Sequence, residues 1–310
     1  VELIDTLSHV GVTLLLFLAG MVLHPDRLVA LARKAALATV VGCVLGVAIV
    51  YAVLAGLGGG VLYVPLVSAF FPFHLDFVRG AGLFVALAGS LSAGPGLLKR
   101  SLATLRLTLP FALIASTASI FGAFLGLGLP TDVIQICLGV LILGIAALLL
   151  SSKNVERPTV HKQDAVGMAL GIQGSYFDES TGELVTWQTR RTWLGFILFA
   201  LIGLIAGMFG LGAGWANVPV LNLLMGVPLK VSVATSNFLL SITDTSAAWV
   251  YLNRGCVIPL MAIPSIVGLM LGAKVGVRVL SIVKPKAVRV IVILVLLFAG
   301  GRALMDGLGW

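Results

Sequence analysis

Long uninterrupted apolar runs, separated by short polar stretches, dominate the chain. Phe111 to Leu129, Val133 to Leu150 and Val288 to Leu304 are the clearest. A helix needs about 20 apolar residues to cross the hydrocarbon core. Strands of a membrane barrel would alternate with a period of two, and these runs do not. The pattern therefore predicts helices. Nine spans can be drawn: Leu7 to Leu23, Ala35 to Ala55, Gly80 to Leu98, Leu107 to Leu129, Val133 to Leu150, Thr192 to Met208, Val231 to Leu252, Val257 to Ile282 and Val288 to Leu304. Two further apolar stretches are too short to cross. Each follows a glycine cluster, Gly56-Leu57-Gly58-Gly59-Gly60 in one case and Gly210-Leu211-Gly212-Ala213-Gly214 in the other. The stubs run from Val61 to Phe71 and on to Met225.

The longest polar interval is Ser151 to Arg191. Ala165 to Leu170 reads as a short amphipathic helix. Ser175-Tyr176-Phe177 and Leu184-Val185-Thr186-Trp187 flank an acidic turn, Asp178 to Glu183, and read as a small hairpin. This interval is too short for an independent enzyme domain.

The two halves repeat. An offset of 154 carries Gly56, Leu57, Gly58, Gly60, Val64 and Pro65 onto Gly210, Leu211, Gly212, Gly214, Val218 and Pro219. It also carries Ser92 to Ser246, Arg100 to Arg254, Pro110 to Pro264 and Gly122 to Gly276. Such self-similarity signals a duplicated unit. The expected architecture is an all-α polytopic membrane protein with about nine transmembrane helices. Two tandem repeats of four helices, each with a Gly-rich broken or re-entrant segment, follow one extra N-terminal helix. The divisions fall at 1–34 (extra helix and basic loop), 35–150 (first repeat), 151–191 (loop with hairpin) and 192–310 (second repeat).

Charge sets orientation. Arg27, Arg33 and Lys34, then Lys99, Arg100 and Arg106, then Lys153, Arg157, Lys162, Arg190 and Arg191 lie in loops that the positive-inside rule puts in the cytoplasm. With nine spans, and each stub dipping in and returning, the halves point the same way as a parallel repeat. Lys284, Lys286 and Arg289 then fall outside, against the rule. Were each stub to cross fully, the repeats would be inverted and the basic third loop would move outside. A central cytoplasmic loop and a multi-pass bacterial inner-membrane location are expected.

Composition agrees with the membrane reading. The chain is 59% hydrophobic and 10% charged, against roughly 25% charged in soluble domains. Its net charge of +8 does not point to nucleic acid, because the basic residues form no stripe with interleaved aromatics. Cys43, Cys137 and Cys256 have no metal-ligand spacing and read as small buried thiols. Val1 to Asp5 is acidic, unlike the basic start of a cleavable signal. His9, His24, His74 and His161 form no metal set, and no cofactor is expected.

The candidate chemistry is concentrated in three places. First are the two glycine-rich breaks, with Gly58, Gly59 and Gly60 in one and Gly212, Ala213, Gly214 and Asn217 in the other. Backbone groups left unpaired within a bilayer must be buried in protein or line a cavity. Matching interruptions in two halves are the best pointer to a transporter's binding site. Close helix packing through small residues is the competing explanation. Second is the polar run of the seventh span, in which Ser236, Asn237, Thr243, Asp244 and Ser246 stand out. The matching third span keeps only Ser90 and Ser92. A carboxylate at mid-membrane usually faces a cavity and has a role, so Asp244 is the expected proton-coupling group. Third are Arg100 and Arg254, each following a span at what is expected to be its cytoplasmic end, where they would attract an anion or simply set topology.

Residues 56–66 and 210–220, the stretch Pro228 to Ser236 and the Arg254-Gly255 turn resemble the duplicated signature of the sulfite exporter TauE/SafE family of membrane permeases. The resemblance covers roughly residues 35 to 305. It implies a permease exporting small sulfur-containing anions, such as sulfite or an organosulfonate, driven by an ion gradient. Ala213 departs from the glycine triplet of that signature. The first span, around Gly11 to Leu28, looks more like a helix of monovalent cation:proton antiporters. The leading expectation is thus an anion permease, not an enzyme, working by alternating access between the repeats. The alternative is a cation:proton antiporter using Asp244. Its partners are a small anionic solute and the lipid bilayer, and a homo-oligomer is compatible with the sequence.

Overall fold

The computed structural model describes residues 60–70, 73–99, 103–151, 163–178, 182–259, 262–267 and 285–309. The first two expected spans, Gly58, Gly59, Arg100 and most of the eighth span lie outside the described residues. The helices are α1 (Gly60–Phe70), α2 (Leu75–Lys99), α3 (Leu105–Gly128), α4 (Thr131–Ser151), α5 (Ala165–Ala169), α6 (Thr192–Phe209), α7 (Gly214–Pro219), α8 (Leu229–Asn253) and α9 (Pro285–Gly307). A π-helical turn, Val220–Leu224, continues α7. The polar interval folds as expected, with β1 (Gln173–Asp178) antiparallel to β2 (Glu183–Gln188).

Among the described residues, three helices are both long and apolar enough to cross a membrane: Leu105–Gly128, Thr131–Leu148 and Thr192–Phe209. Helices α2 and α8 are each 25 residues long but carry more small and polar positions, because they are interior helices packed on one another. On α3 the usual polarity of a helix is inverted. Its inward face is small, with Ala112, Ala115, Ser116, Ser119, Gly122, Ala123 and Gly126 buried, while Leu113 and Phe121 are 67% and 70% exposed. Lipid is as apolar as leucine, so close backbone approach, not side-chain size, drives packing there. Cys137 sits on an exposed face of α4 and Cys256 is half-buried. The expectation of buried thiols therefore fails, most clearly for Cys137, whose face needs only to be apolar.

Close glycine contacts fix the direction of each helix pair. A Cβ on Gly122 would strike the Leu204 carbonyl and one on Gly126 that of Met208, while Gly203 and Gly207 abut Ala115 and Ser119. Helices α3 and α6 therefore run parallel. Leu83 clusters with Ala247, Ala248 and Tyr251, and Ala86 and Leu240 both meet Gly212, so α2 and α8 run antiparallel. Gly139 meets Leu304 and Gly300, and Gly307 meets Ile136 and Asp132, so α4 and α9 are antiparallel too.

The chain after the second glycine cluster turns back. The Arg190 N–H donates to the Met225 carbonyl at 2.9 Å, and its guanidinium donates to the carbonyls of Leu224 and Leu223, each at 3.3 Å. A Cβ on Gly195 would meet the Met225 sulfur at 2.9 Å. Helices α6 and α7 thus form a hairpin that returns to the end where α6 began. Leu107, Phe111, Tyr176, Trp187, Met225 and Val231 share one core cluster at that end, which also receives the β-hairpin.

The expectation of parallel halves does not survive. Gly60, Leu75 and Thr131 open helices, as do Gly214, Leu229 and Pro285, their partners at the 154-residue offset. Yet the partners α2 and α8 are antiparallel, and so are α4 and α9. The departure lies in the stub and not in Thr192 to Met208: the chain from Gly214 to Met225 runs back to the end where α6 began. The consequence resolves the charge conflict. The first turns of α9, bearing Lys286 and Arg289, lie at the β-hairpin end, as does the end of α2 at Lys99. Arg254 caps α8 at the opposite end, so Arg254 and the chain following Lys99 do not share a side.

Candidate functional site

Gly210 and Gly212 make the break between α6 and α7, with φ of 68° and 72°. Side-chain-bearing residues pay about 1–2 kcal/mol for left-handed backbone, so glycine is required at both. Ala213, where the glycine run lapses, has φ −91°, a conformation open to any residue. Its methyl therefore fits, and its carbonyl accepts the N–H groups of Ala216 and Asn217 at 3.3 and 3.1 Å. The break is buried: Gly210, Leu211, Gly212, Ala213 and Gly214 are all shielded from solvent.

The two glycine-rich segments come together. A Cβ on Gly60 would lie 2.6 Å from the Leu211 carbonyl oxygen and 3.2 Å from that of Gly210, and one on Gly82 would lie 2.7 Å from the Gly210 oxygen. Only bare backbone can pass at this crossing point. Helix α1 enters it from the first half and α7 leaves it in the second.

Asp244 is 1% exposed and aimed at this break. A Cβ on Gly212 would lie 3.1 Å from its Oδ2, and 3.3 Å from both Ala86 and Leu240. Oδ2 has no hydrogen-bond partner among the described residues. Neither do both side-chain polar atoms of Asn217, the indole N–H of Trp215 and Oδ1 of Asn237. Asn237 and Asp244 lie seven residues apart, two turns along one face of α8. Buried polar atoms without partners are rare in native proteins and call for a role.

Other expected members serve structure. Thr243 donates to the Leu239 carbonyl at 2.9 Å, Ser246 to that of Ile242 at 3.0 Å, and Asn237 Nδ2 to that of Val233 at 3.0 Å. This back-bonding satisfies hydroxyls within their own helix. Ser246 faces away from Asp244. Ser236 is fully buried. Ser92 lies on α2, its side chain outside the described residues. Arg254 sits over the Phe124 ring at 5.4 Å, at the end of the bundle away from the β-hairpin.

Arg79, outside the three places singled out in the sequence, has a large role. It is 2% exposed. Its guanidinium donates to the Gly126 carbonyl at 3.2 Å and that of Met208 at 2.8 Å, pairs with Asp76, and lies 5.8 Å from the Tyr251 ring centre. The Tyr251 hydroxyl donates to the Gly207 and Met208 carbonyls at 3.1 Å each. The negative C-terminal ends of α3 and α6 are thus capped together just before the break.

The match to known proteins agrees with this arrangement. The sulfite exporter TauE/SafE family matches residues 40–303. The chain belongs to that family. A relative from Bacillus subtilis (strain 168), described as a probable membrane transporter protein YunE, is 25% identical over 263 residues, which cover 82% of this chain and 93% of the relative. No solved structure matches. The protein is therefore a helical membrane transporter of the TauE/SafE family. No group of three or more metal-binding side chains occurs among the described residues.

Trp215 was missed in the sequence because an aromatic residue in an apolar stub reads as packing. Its position directly after a break was the available signal. For Arg79 the signal was an arginine three residues after Asp76 in an otherwise apolar run.

Proposed function

We propose that this transporter is a permease for a small sulfur-containing anion, such as sulfite or an organosulfonate, with its site at the crossing of the two glycine-rich segments. The observation that carries the reading is the buried break at Gly210–Gly214, beside which donors on Trp215 and Asn217 lack partners. Hydrogen-bond donors in a water-poor site suit an oxyanion that has shed its hydration. The antiparallel relation of α2 to α8 and of α4 to α9 supports two inverted repeats around that crossing, which is the symmetry that alternating access uses. The site would comprise Gly58, Gly59, Gly60, Gly212, Ala213, Gly214, Asn217, Ser236 and Asn237. Thr243 and Ser246 serve packing in this reading. Arg254 then serves the mouth away from the β-hairpin. The β-hairpin end, rich in Lys and Arg, faces the cytoplasm by the positive-inside rule.

Purified protein in liposomes should move labelled sulfite, and Gly212→Leu should stop it. A wild-type protein that moves neither sulfite nor a sulfonate would overturn the reading. The second reading, a monovalent cation:proton antiporter, rests on the unpartnered Asp244 Oδ2. It requires sodium or potassium flux coupled to protons and lost in Asp244→Asn.

A further inference from the structure

We infer that Asp244 selects an oxyanion that brings a proton with it, so that the loaded site holds one proton shared between its carboxylate and the anion. The inference rests on the permease reading and narrows it to sulfite, since a sulfonate carries no proton near neutrality. Asp244 Oδ2 is an acceptor aimed at Gly212 within the break, and it has no partner among the described residues. One stretch of chain further on, the buried Asn217 side chain has its N–H donors and its Oδ1 without partners. A ligand that completes this set must accept from the donors and donate to the carboxylate. A dianion cannot donate, and beside an ionised Asp244 it would set three negative charges together away from water, one more than its protonated form brings, which such a site resists.

Among the described residues no other charge relieves that repulsion. The charged or titratable side chains on α8 and the elements packed closely around it are Asp76, Arg79 and Lys99 of α2, Arg106 of α3, and Lys230 and Tyr251 of α8; α6 and α7 carry none. Arg79 is engaged by Asp76, Gly126 and Met208 at the level of Tyr251, about 10 Å along α8 from Asp244. Arg106 and Lys230 lie in the first turns of α3 and α8, and Lys99 closes α2.

Sulfite holds a proton in the neutral range, whereas sulfate has lost both of its own. The test is flux of labelled sulfite and labelled sulfate into proteoliposomes across the neutral pH range, with a lumenal pH dye reporting proton movement. Wild type should prefer sulfite by about tenfold to a hundredfold, the penalty of leaving a buried acceptor without its donor. Its sulfite rate should fall as pH rises, with one proton entering per dianion. Asp244→Asn, whose amide can donate, should lose the preference and flatten the pH profile. Sulfate carried as fast as sulfite, or a sulfite rate flat with pH, overturns the inference and leaves the permease reading standing. An absence of any oxyanion flux in wild type overturns both. Should Asp244→Asn fail to fold, the wild-type selectivity and proton count decide.

Discussion

Helices α2 and α8 occupy matching places in the two halves, each 25 residues long, packed against one another in opposite directions. Their chemistry is not matched. Where α8 has Asn237, Asp244 and Tyr251, the offset places Leu83, Ser90 and Leu97 on α2. Where α2 has Asp76 and Arg79, α8 has Lys230 and Val233. The duplicated backbone has thus been divided between two tasks. Helix α2 supplies a cap that holds the ends of α3 and α6, and α8 supplies the polar groups that face the break. A symmetric frame can carry an asymmetric site because the frame depends on glycines and helix directions, which both copies keep, and the chemistry depends on a few side chains, which they do not.

Five changes would break or sharpen this division. The largest effect is expected for Arg79→Met. It leaves Asp76 and the Gly126 and Met208 carbonyls without their cation, and breaking a buried pair costs about 3–5 kcal/mol. Thermal unfolding in detergent should show a large loss of Tm, with Arg79→Lys between the two. Gly212→Ala comes next. Left-handed strain of about 1–2 kcal/mol, with a methyl placed 3.1 Å from Asp244 Oδ2, should abolish sulfite flux while most of the protein still folds. Ala213→Gly, at a residue with ordinary φ, should leave flux nearly unchanged. Tyr251→Phe removes one hydroxyl that donates to two carbonyls, and should lower stability by about 1 kcal/mol with little change in substrate preference. Ser246→Ala should be almost silent in flux, because that hydroxyl bonds its own helix at the Ile242 carbonyl. A large transport defect in Ser246→Ala would mean that the chemistry extends round α8 beyond the Asp244 face.

Much of the scaffold was legible from hydropathy and turn residues. The spans read at Leu107, Val133, Thr192 and Val231 begin within two residues of α3, α4, α6 and α8, because a run that must exclude water has sharp edges. The β-hairpin was readable from its acidic turn and flanking aromatics. The direction of the halves was not readable. Hydropathy records that Thr192 to Met208 is greasy, but not that Arg190 ties Met225 back to the starting end. Within the site, Asp244 and Asn217 were visible as polar residues in apolar surroundings. The inertness of Thr243 and Ser246 was hidden, since a hydroxyl's partner four residues back is invisible until the helix face is known.

The seam between α3 and α6 bears on how the transporter can change shape. Gly122, Gly126, Gly203 and Gly207 bring two main chains together with no intervening side chains, and such a joint has no cushion on which to slip. These rods come from different halves, so one half cannot simply rock against the other. In the alternating-access reading proposed above, each piece that swings would draw on both halves, with the welded α3–α6 pair riding together.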